Sequence, residues 1–227
     1  MTEEKLVKYI DHTLLKSTAT SDDIKRHCRE AKEHSFCAVS LNGRWISLAA
    51  DLLADSQVKV GAVVSLPLGA DVTKIKVVQA QQAIKDGADE IDMVADLAAI
   101  IEMDEKYLTQ QLTAVLEVCR SMRPVVLFKV IIESAALSRE QKIFACEIAN
   151  KCGVDFVKTS TGMNPAGGAT IEDVKLMKEY APNCKVKAAG GIRTAKQTVE
   201  MIEAGADRIG TSSGVQIIEQ LRAGQIQ

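Results

Sequence analysis

Aromatic side chains are scarce in this 227-residue chain: four Phe, three Tyr and one Trp, 4% of the total. A core of that size must then be built mainly from aliphatic residues and alanine. Charge imbalance is also missing. Twenty-eight Lys and Arg face 30 Asp and Glu, a net charge of −2, so no general electrostatic attraction to nucleic acid or an anionic membrane is implied. No apolar run approaches the ~18 residues that a membrane helix needs. The opening "MTEEKLVKYIDH" is acidic and has no apolar stretch of the secretory kind. Six cysteines are present, but no CxxC pair; their scatter fits reduced positions in a cytoplasmic protein. Cys28 beside His27, with His34 further on, is a weak metal pattern, and no second ligand cluster has metal-site spacing. The expectation is no metal and no cofactor.

What is present is alternation. Eight short stretches rich in Val, Ile or Phe read as strands: "KYIDHTL", "FCAVSLN", "KVGAVVSLP", "DEIDMVA", "PVVLFKVIIE", "DFVKTST", "KVKAAGG" and "DRIGTSS". Amphipathic patterns between them read as helices: "TSDDIKRHCREAKEH", "LTQQLTAVLEVCRS", "SREQKIFACEIANKCG", "TIEDVKLMKEYAP" and "TAKQTVEMIEAG". Thr20/Ser21 opens the first. Ser138 with Gln141, Thr170 with Asp173, and Thr194 with Gln197 fit capping boxes. Gly153 and Gly205 stand where helices end in the left-handed conformation. A Gly-(Ala/Val)-Asp-x-apolar repeat recurs in "DGADEIDMV", "CGVDFVKTS" and "AGADRIGTS", either a repeated βα unit or recurrent loop chemistry.

Eight strands alternating with helices predict an α/β fold, a (β/α)8 TIM barrel with a short N-terminal helical segment. A doubly wound open sheet is the alternative, weakened by the lack of a G-x-G-x-x-G after the first strand. No Pro- or Gly-rich linker divides the chain, so residues 1–227 are expected to form one domain, with its core at about 9–217. The ends before Lys5 and after Arg222 are expected to fray.

Strand alternation then puts charges in unexpected places. If Ile91 and Met93 face the helices, Asp92 points inward. If Val126, Phe128 and Val130 do, so does Lys129. Lys158 shares a face with Phe156 and Ser160, and Lys187 with Lys185 and Ala189. Asp92, Lys129, Lys158 and Lys187 therefore gather near the C-terminal mouth, where such barrels keep their active sites. One reading is a buried salt-bridge network. The other is proton or amine chemistry, since three ammoniums beside one clear acid are poor stability design. Two ammoniums ~5–6 Å apart at an effective dielectric of ~20 repel by roughly 3 kcal/mol, about two pKa units. That would lower one lysine from ~10.4 to about 8, a nucleophile suited to a carbonyl.

The loops after the seventh and eighth strands, "AAGGIRT" and "GTSSG", are small-residue turns before a helix. They suit a phosphate, bound by Gly190, Gly191, Ser212 and Ser213; tight turns with helix caps are the alternative. Arg193 is either a phosphate ligand or a solvated helix-start residue. Asp11 either contacts a sugar hydroxyl or ends its strand.

Together "YIDHTLL", "GADEIDMV", "KVIIES", "FVKTSTG", "VKAAGGIRT" and "RIGTSSG" resemble the deoxyribose-phosphate aldolases, from about Tyr9 to Ile217. The resemblance implies a class I aldolase on a (β/α)8 barrel, reversibly splitting 2-deoxy-D-ribose 5-phosphate into D-glyceraldehyde 3-phosphate and acetaldehyde. It implies Lys158 as Schiff-base lysine, Lys187 and Asp92 in proton transfer, and Lys129 in support. A phosphorylated sugar is then the partner, and a homodimer is possible. Ser40 stands where many members carry Cys, Asn42-Gly43 where Asn-Pro or similar is common, and Ser134 where Thr is usual. The ending "RAGQIQ" has no tyrosine, unlike members whose terminal tyrosine assists proton transfer. A phosphosugar isomerase using Asp92 as base, and a non-catalytic phosphate-binding module, are competing readings.

Overall fold

The computed structural model describes residues 1–121 and 124–224. Its strands are β1 (Ile10–Leu14), β2 (Ala38–Leu41), β3 (Lys59–Val64), β4 (Glu90–Val94), β5 (Leu127–Ile131), β6 (Phe156–Lys158), β7 (Lys185–Ala189) and β8 (Arg208–Thr211). They lie parallel in chain order, and β8 pairs with β1 to close the barrel. The described helices are α1 (Glu3–Leu6), α2 (Ser21–Glu33), α3 (Ile46–Leu53), α4 (Thr73–Lys85), α5 (Leu97–Ile101), α6 (Glu105–Ser121), α7 (Arg139–Cys152), α8 (Ile171–Tyr180), α9 (Ala195–Glu203) and α10 (Gly214–Arg222). This is the expected (β/α)8 barrel with a helical N-terminal segment, and the open sheet is excluded.

Each expected strand is present. The outward residues Ile91, Met93, Phe128, Val130, Val157, Val186 and Ile209 are all buried against the helices. A fully buried aliphatic side chain of this kind contributes roughly 1.5–3 kcal/mol, so the ring between sheet and helices is the main apolar core. The inner face carries the buried charges.

The Gly-(Ala/Val)-Asp repeat has a physical cause. Asp89, Asp155 and Asp207 each accept a hydrogen bond from the backbone N–H of a neighbouring strand, at Val60, Phe128 and Val186, over 2.8–2.9 Å. Each also pairs with a cation: Lys59, Arg120 and Lys178 respectively. The repeat is a strand-start cap used at β4, β6 and β8.

Several local expectations are met. The Ser138–Gln141 and Thr194–Gln197 capping boxes are complete, and Gly153 ends α7 at φ 76°. Thr170 caps Asp173 N–H, but the Asp173 carboxylate bonds instead to Ser134 and Lys142. The N-terminus is not frayed before Lys5. Glu3 lies in α1 and accepts hydrogen bonds from Arg222 Nε and Nη2 at 2.8 and 2.6 Å, which ties the two ends together. Residues 225–227, the end of the tail without tyrosine, lie outside the described residues. The helix expected after "GTSSG" is α10, whereas α3, α4 and α5 match none of the quoted amphipathic patterns. α3 ("ISLAADLL") is nearly all apolar, and α4 exposes Ile75 and Val78 while burying Lys76, so neither offers a clean 3.6-residue contrast.

Candidate active site

The pleat sends Asp11, Glu90, Asp92, Lys129, Lys158, Lys187 and Arg208 to the inside of the barrel. Lys129, Lys158 and Lys187 are 0%, 3% and 1% exposed. The register places Asp92 opposite Lys129, and Lys158 opposite Lys187. One carboxylate ties the four expected residues together. Asp92 Oδ1 accepts from Lys129 Nζ at 2.8 Å; Asp92 Oδ2 accepts from Lys158 Nζ at 2.8 Å and Lys187 Nζ at 2.7 Å.

The count of one acid against three lysines is corrected. Glu90 pairs with Lys129 at 2.5 Å and with Arg208 at 2.9 Å. Asp11 pairs with Lys187 at 2.5 Å and with Arg208 at 2.5 Å. Four basic groups thus face three carboxylates, and one amine must lose its proton for the cluster to be neutral. Lys129, Lys187 and Arg208 each touch two carboxylates; Lys158 touches one oxygen, which it shares. Burying charge without full pairing is costly, so Lys158 is the group that gives way. The salt-bridge reading describes what fills the barrel, and the pairing leaves one lysine for the amine-chemistry reading. A closed ion network fills the lower barrel, and an under-paired lysine sits on top of it.

Lys158 is lowered to about 8. Burial is the main cause; Asp92 opposes it, and the neighbouring Lys187 charge adds to it. The expected value is reached mainly by desolvation rather than by ammonium repulsion, because the carboxylates absorb much of that repulsion. Lys129 is pushed upward: burial works against its charge, but Asp92, Glu90 and Asp11 outweigh it. Asp92 lies well below the usual carboxylate range; burial opposes this and the three lysines override it. Asp11 is lowered to about 2 against burial by Lys187 and Arg208. Neither a sugar contact nor a plain strand end, Asp11 is the buried counter-ion of Lys187.

Above Lys158 opens a cavity of about 290 Å³ lined by Thr13, Lys16, Thr161, Gly190, Gly191 and Ser212, among others. Two of the four phosphate candidates, Gly190 and Gly191, have φ of 90° and 81°, a region L side chains rarely occupy. A methyl on Gly190 would lie 3.0 Å from Gly168 Cα and 3.3 Å from Gly162 Cα. Ser212 lines the cavity, whereas Ser213 is at the N-cap of α10 with its N–H given to Thr211 Oγ1 at 2.9 Å. Arg193 also reaches the cavity wall. Ser40 is on the inner face beside Thr13, with its buried hydroxyl unpartnered. Ser134 donates to Asp173 at 2.9 Å.

The residues missed were Glu90, Arg208, the pairing role of Asp11, and Lys16. Glu90 and Arg208 stand two positions before inward residues, so the same alternation could have found them. Lys16 follows β1 in irregular backbone and carries no such signal.

Two other clusters differ from the site in kind. Lys76 is buried and lowered to about 8 by burial, yet its Nζ donates to Val94 O at 2.8 Å and Gln111 Oε1 at 3.0 Å, outside the barrel. A depressed lysine without a cavity is a structural one. His27 groups not with Cys28 and His34 but with His12 and Glu30. The His12 and His27 rings stack at 3.8 Å, tilted 12°. An ion shared by near-parallel rings would lie well out of both ring planes, where neither nitrogen lone pair points.

A closed parallel barrel with an under-paired lysine below a glycine-lined cavity has the parts of a barrel lyase that works through an amine. The chain belongs to the DeoC/LacD family aldolases, whose family model matches residues 5–220. It is 51% identical over 222 residues to a deoxyribose-phosphate aldolase of Aciduliprofundum boonei, covering 97% of this chain and 99% of that one. It is 49% identical over 222 residues to that of Thermococcus kodakarensis, covering 96% and 98%. The tetrameric deoxyribose phosphate aldolase of Aeropyrum pernix superposes with a TM-score of 0.90 at 30% identity, covering 98% of this chain and 93% of that one.

Proposed function

We propose that this chain is a deoxyribose-phosphate aldolase, the whole barrel working as one catalytic domain. The observation that carries this is the buried amine of Lys158, held by a single shared carboxylate oxygen and lining a cavity with the glycine loop at Gly190–Gly191. The family and the relatives' names supply the substrate: 2-deoxy-D-ribose 5-phosphate, split reversibly into D-glyceraldehyde 3-phosphate and acetaldehyde.

Neutral Lys158 Nζ adds to the C1 aldehyde, and the carbinolamine loses water to give an iminium. The C3 hydroxyl then gives up its proton. Its oxygen becomes the aldehyde of glyceraldehyde 3-phosphate as the C2–C3 bond breaks. That electron pair moves into the iminium, leaving an enamine on Lys158. Protonation at C2 and hydrolysis release acetaldehyde and restore the amine. Lys129 and Lys187 hold Asp92 ionised at rest, so it can take up a proton and pass it on: its Oδ2 touches both Lys158 and Lys187 and links them for proton transfer. Lys129 and Asp11 hold the two ends of that relay in place. Gly190, Gly191 and Ser212, with Ser213 at the start of α10, would hold the phosphate and fix the carbonyl over Lys158.

Borohydride with acetaldehyde tests the reading. An ethyl adduct on Lys158 is expected; active enzyme with no adduct there would overturn it. Among the described residues no helix is long and apolar enough to cross a membrane, and a cytoplasmic location fits the six free cysteines. The exposed Leu68, Val72, Ile75 and Val78 and the tetrameric relative support self-association, as a homodimer or larger, which sedimentation velocity measures.

A further inference from the structure

One carboxylate at the mouth has no part in the reaction just described. Glu133 follows β5 and is 1% exposed. Its backbone is left-handed, with φ 54° and ψ 56°. That conformation is uncommon outside glycine, and for a long side chain it persists only where surrounding contacts hold it. The contacts are on the page. On either side of Glu133 the chain is bonded to the strand that carries the amine: Ile132 N–H to Lys158 O at 3.1 Å, and Ser134 N–H to Thr159 O at 2.8 Å. The Glu133 carboxylate then receives Thr161 N–H, at 3.1 Å on Oε1, and the Thr161 hydroxyl, at 2.6 Å on Oε2. Thr161 Oγ1 in turn accepts from Met163 N–H at 3.0 Å.

Thr161, Gly162 and Met163 form one wall of the cavity above Lys158. Gly162 packs backbone to backbone against Gly190: a methyl built on it would meet Gly190 Cα at 3.5 Å. A short physical chain therefore runs from Glu133 through Thr161 and Gly162 to the loop assigned to phosphate. A buried carboxylate that accepts both donors of one residue fixes that residue in position and orientation.

We propose that Glu133 is a positioning residue for the aldolase reaction, clamping Thr161 so that the loop after β6 holds the phosphate-binding glycines at a set distance from Lys158. This rests on the phosphosugar aldolase reading. Glu133 acts through the loop and touches no reacting atom. With the chain reversed at Glu133, its side chain meets Thr161 while the flanking residues pair with Lys158 and Thr159.

The test uses E133A, E133Q and T161V, assayed on 2-deoxyribose 5-phosphate and on unphosphorylated 2-deoxyribose. E133A is expected to raise KM for the phosphorylated substrate at least tenfold and to change kcat/KM for the unphosphorylated one less than threefold. E133Q keeps an acceptor for Thr161 and is expected to recover most of the loss. T161V removes only the hydroxyl and should shift KM in the same direction, and E133A/T161V should cost no more than the worse single change. Equal losses on both substrates, or no loss in either, would overturn the proposal, as would a failure of E133Q to rescue. If E133A does not fold, T161V and E133Q carry the same comparison. Borohydride trapping of acetaldehyde at Lys158 should proceed in every folded variant; its absence from the unaltered enzyme would instead defeat the aldolase reading.

Discussion

Lys158 and Lys187 place their Nζ atoms on the same oxygen, Asp92 Oδ2, at 2.8 and 2.7 Å. The two differ in what else they hold. Lys187 has Asp11 as a second partner at 2.5 Å, while Lys158 has no second one among the described residues, so a shared acceptor separates a doubly paired lysine from a singly paired one.

Lys158→Met should abolish turnover, with a loss on the order of 10⁴-fold or more in kcat, and should eliminate the borohydride adduct. Its folding stability should hold or rise in a urea titration, because an under-paired buried amine is replaced by an apolar side chain of similar length.

The pH–rate profile should follow the Lys158 amine. With the folded value near 8, kcat/KM for the free enzyme should climb with pH up to about 8 and then level. Lys187→Leu removes a charge that depresses Lys158, so the rise should move to higher pH, and the plateau should fall as well because the relay loses one end. An unmoved profile would mean that burial alone sets the amine.

Acid should unfold this protein early. His12 and His27 are lowered to about 4 and about 3, in both cases chiefly by burial, against 6.5 when unfolded. Their contribution is complete above about 6.5 and is lost as pH falls towards 4 and then 3. Two protons taken up on unfolding give a slope of up to about 2.7 kcal/mol per pH unit. Urea midpoints measured between pH 7 and pH 4.5 should drop accordingly, and His27→Phe should flatten the slope.

Asp155→Ala should cost about 1–3 kcal/mol, since it strips the Phe128 N–H of its 2.8 Å acceptor and removes the ion pair with Arg120. The loss should appear as a lower urea midpoint, with KM for the phosphorylated substrate nearly unchanged.

Gly190→Ala should act on the other axis. A methyl there meets Gly168 Cα at 3.0 Å and sits at φ 90°, so the loops after β6 and β7 must part. A tenfold or larger rise in KM for 2-deoxyribose 5-phosphate is expected, about 1.4 kcal/mol of binding, with a smaller effect on the unphosphorylated sugar.

Much of this site was legible because a strand's side-chain period is short-range. Once "DEIDMVA" and "FVKTST" read as strands, Asp92 and Lys158 had to face away from Ile91 and Val157. What could not be read was pairing. Glu90 and Arg208 lie 118 positions apart and meet at 2.9 Å, and no local pattern links them. The three aspartates of the Gly-(Ala/Val)-Asp repeat were visible as a repeat. That each caps a neighbouring strand required knowing which strands are neighbours.

The sequence by itself determined the eight strands and which face each inward residue takes, because propensity and pleat are set by residues a few positions apart. Closure of the barrel decided the rest. Joining β8 to β1 brings Arg208 onto Asp11 across 197 positions. That contact leaves Lys187 a second carboxylate and Lys158 only a share of one. The under-pairing of Lys158 is a property of the whole ion network, and a network that spans the barrel exists only once the barrel is closed.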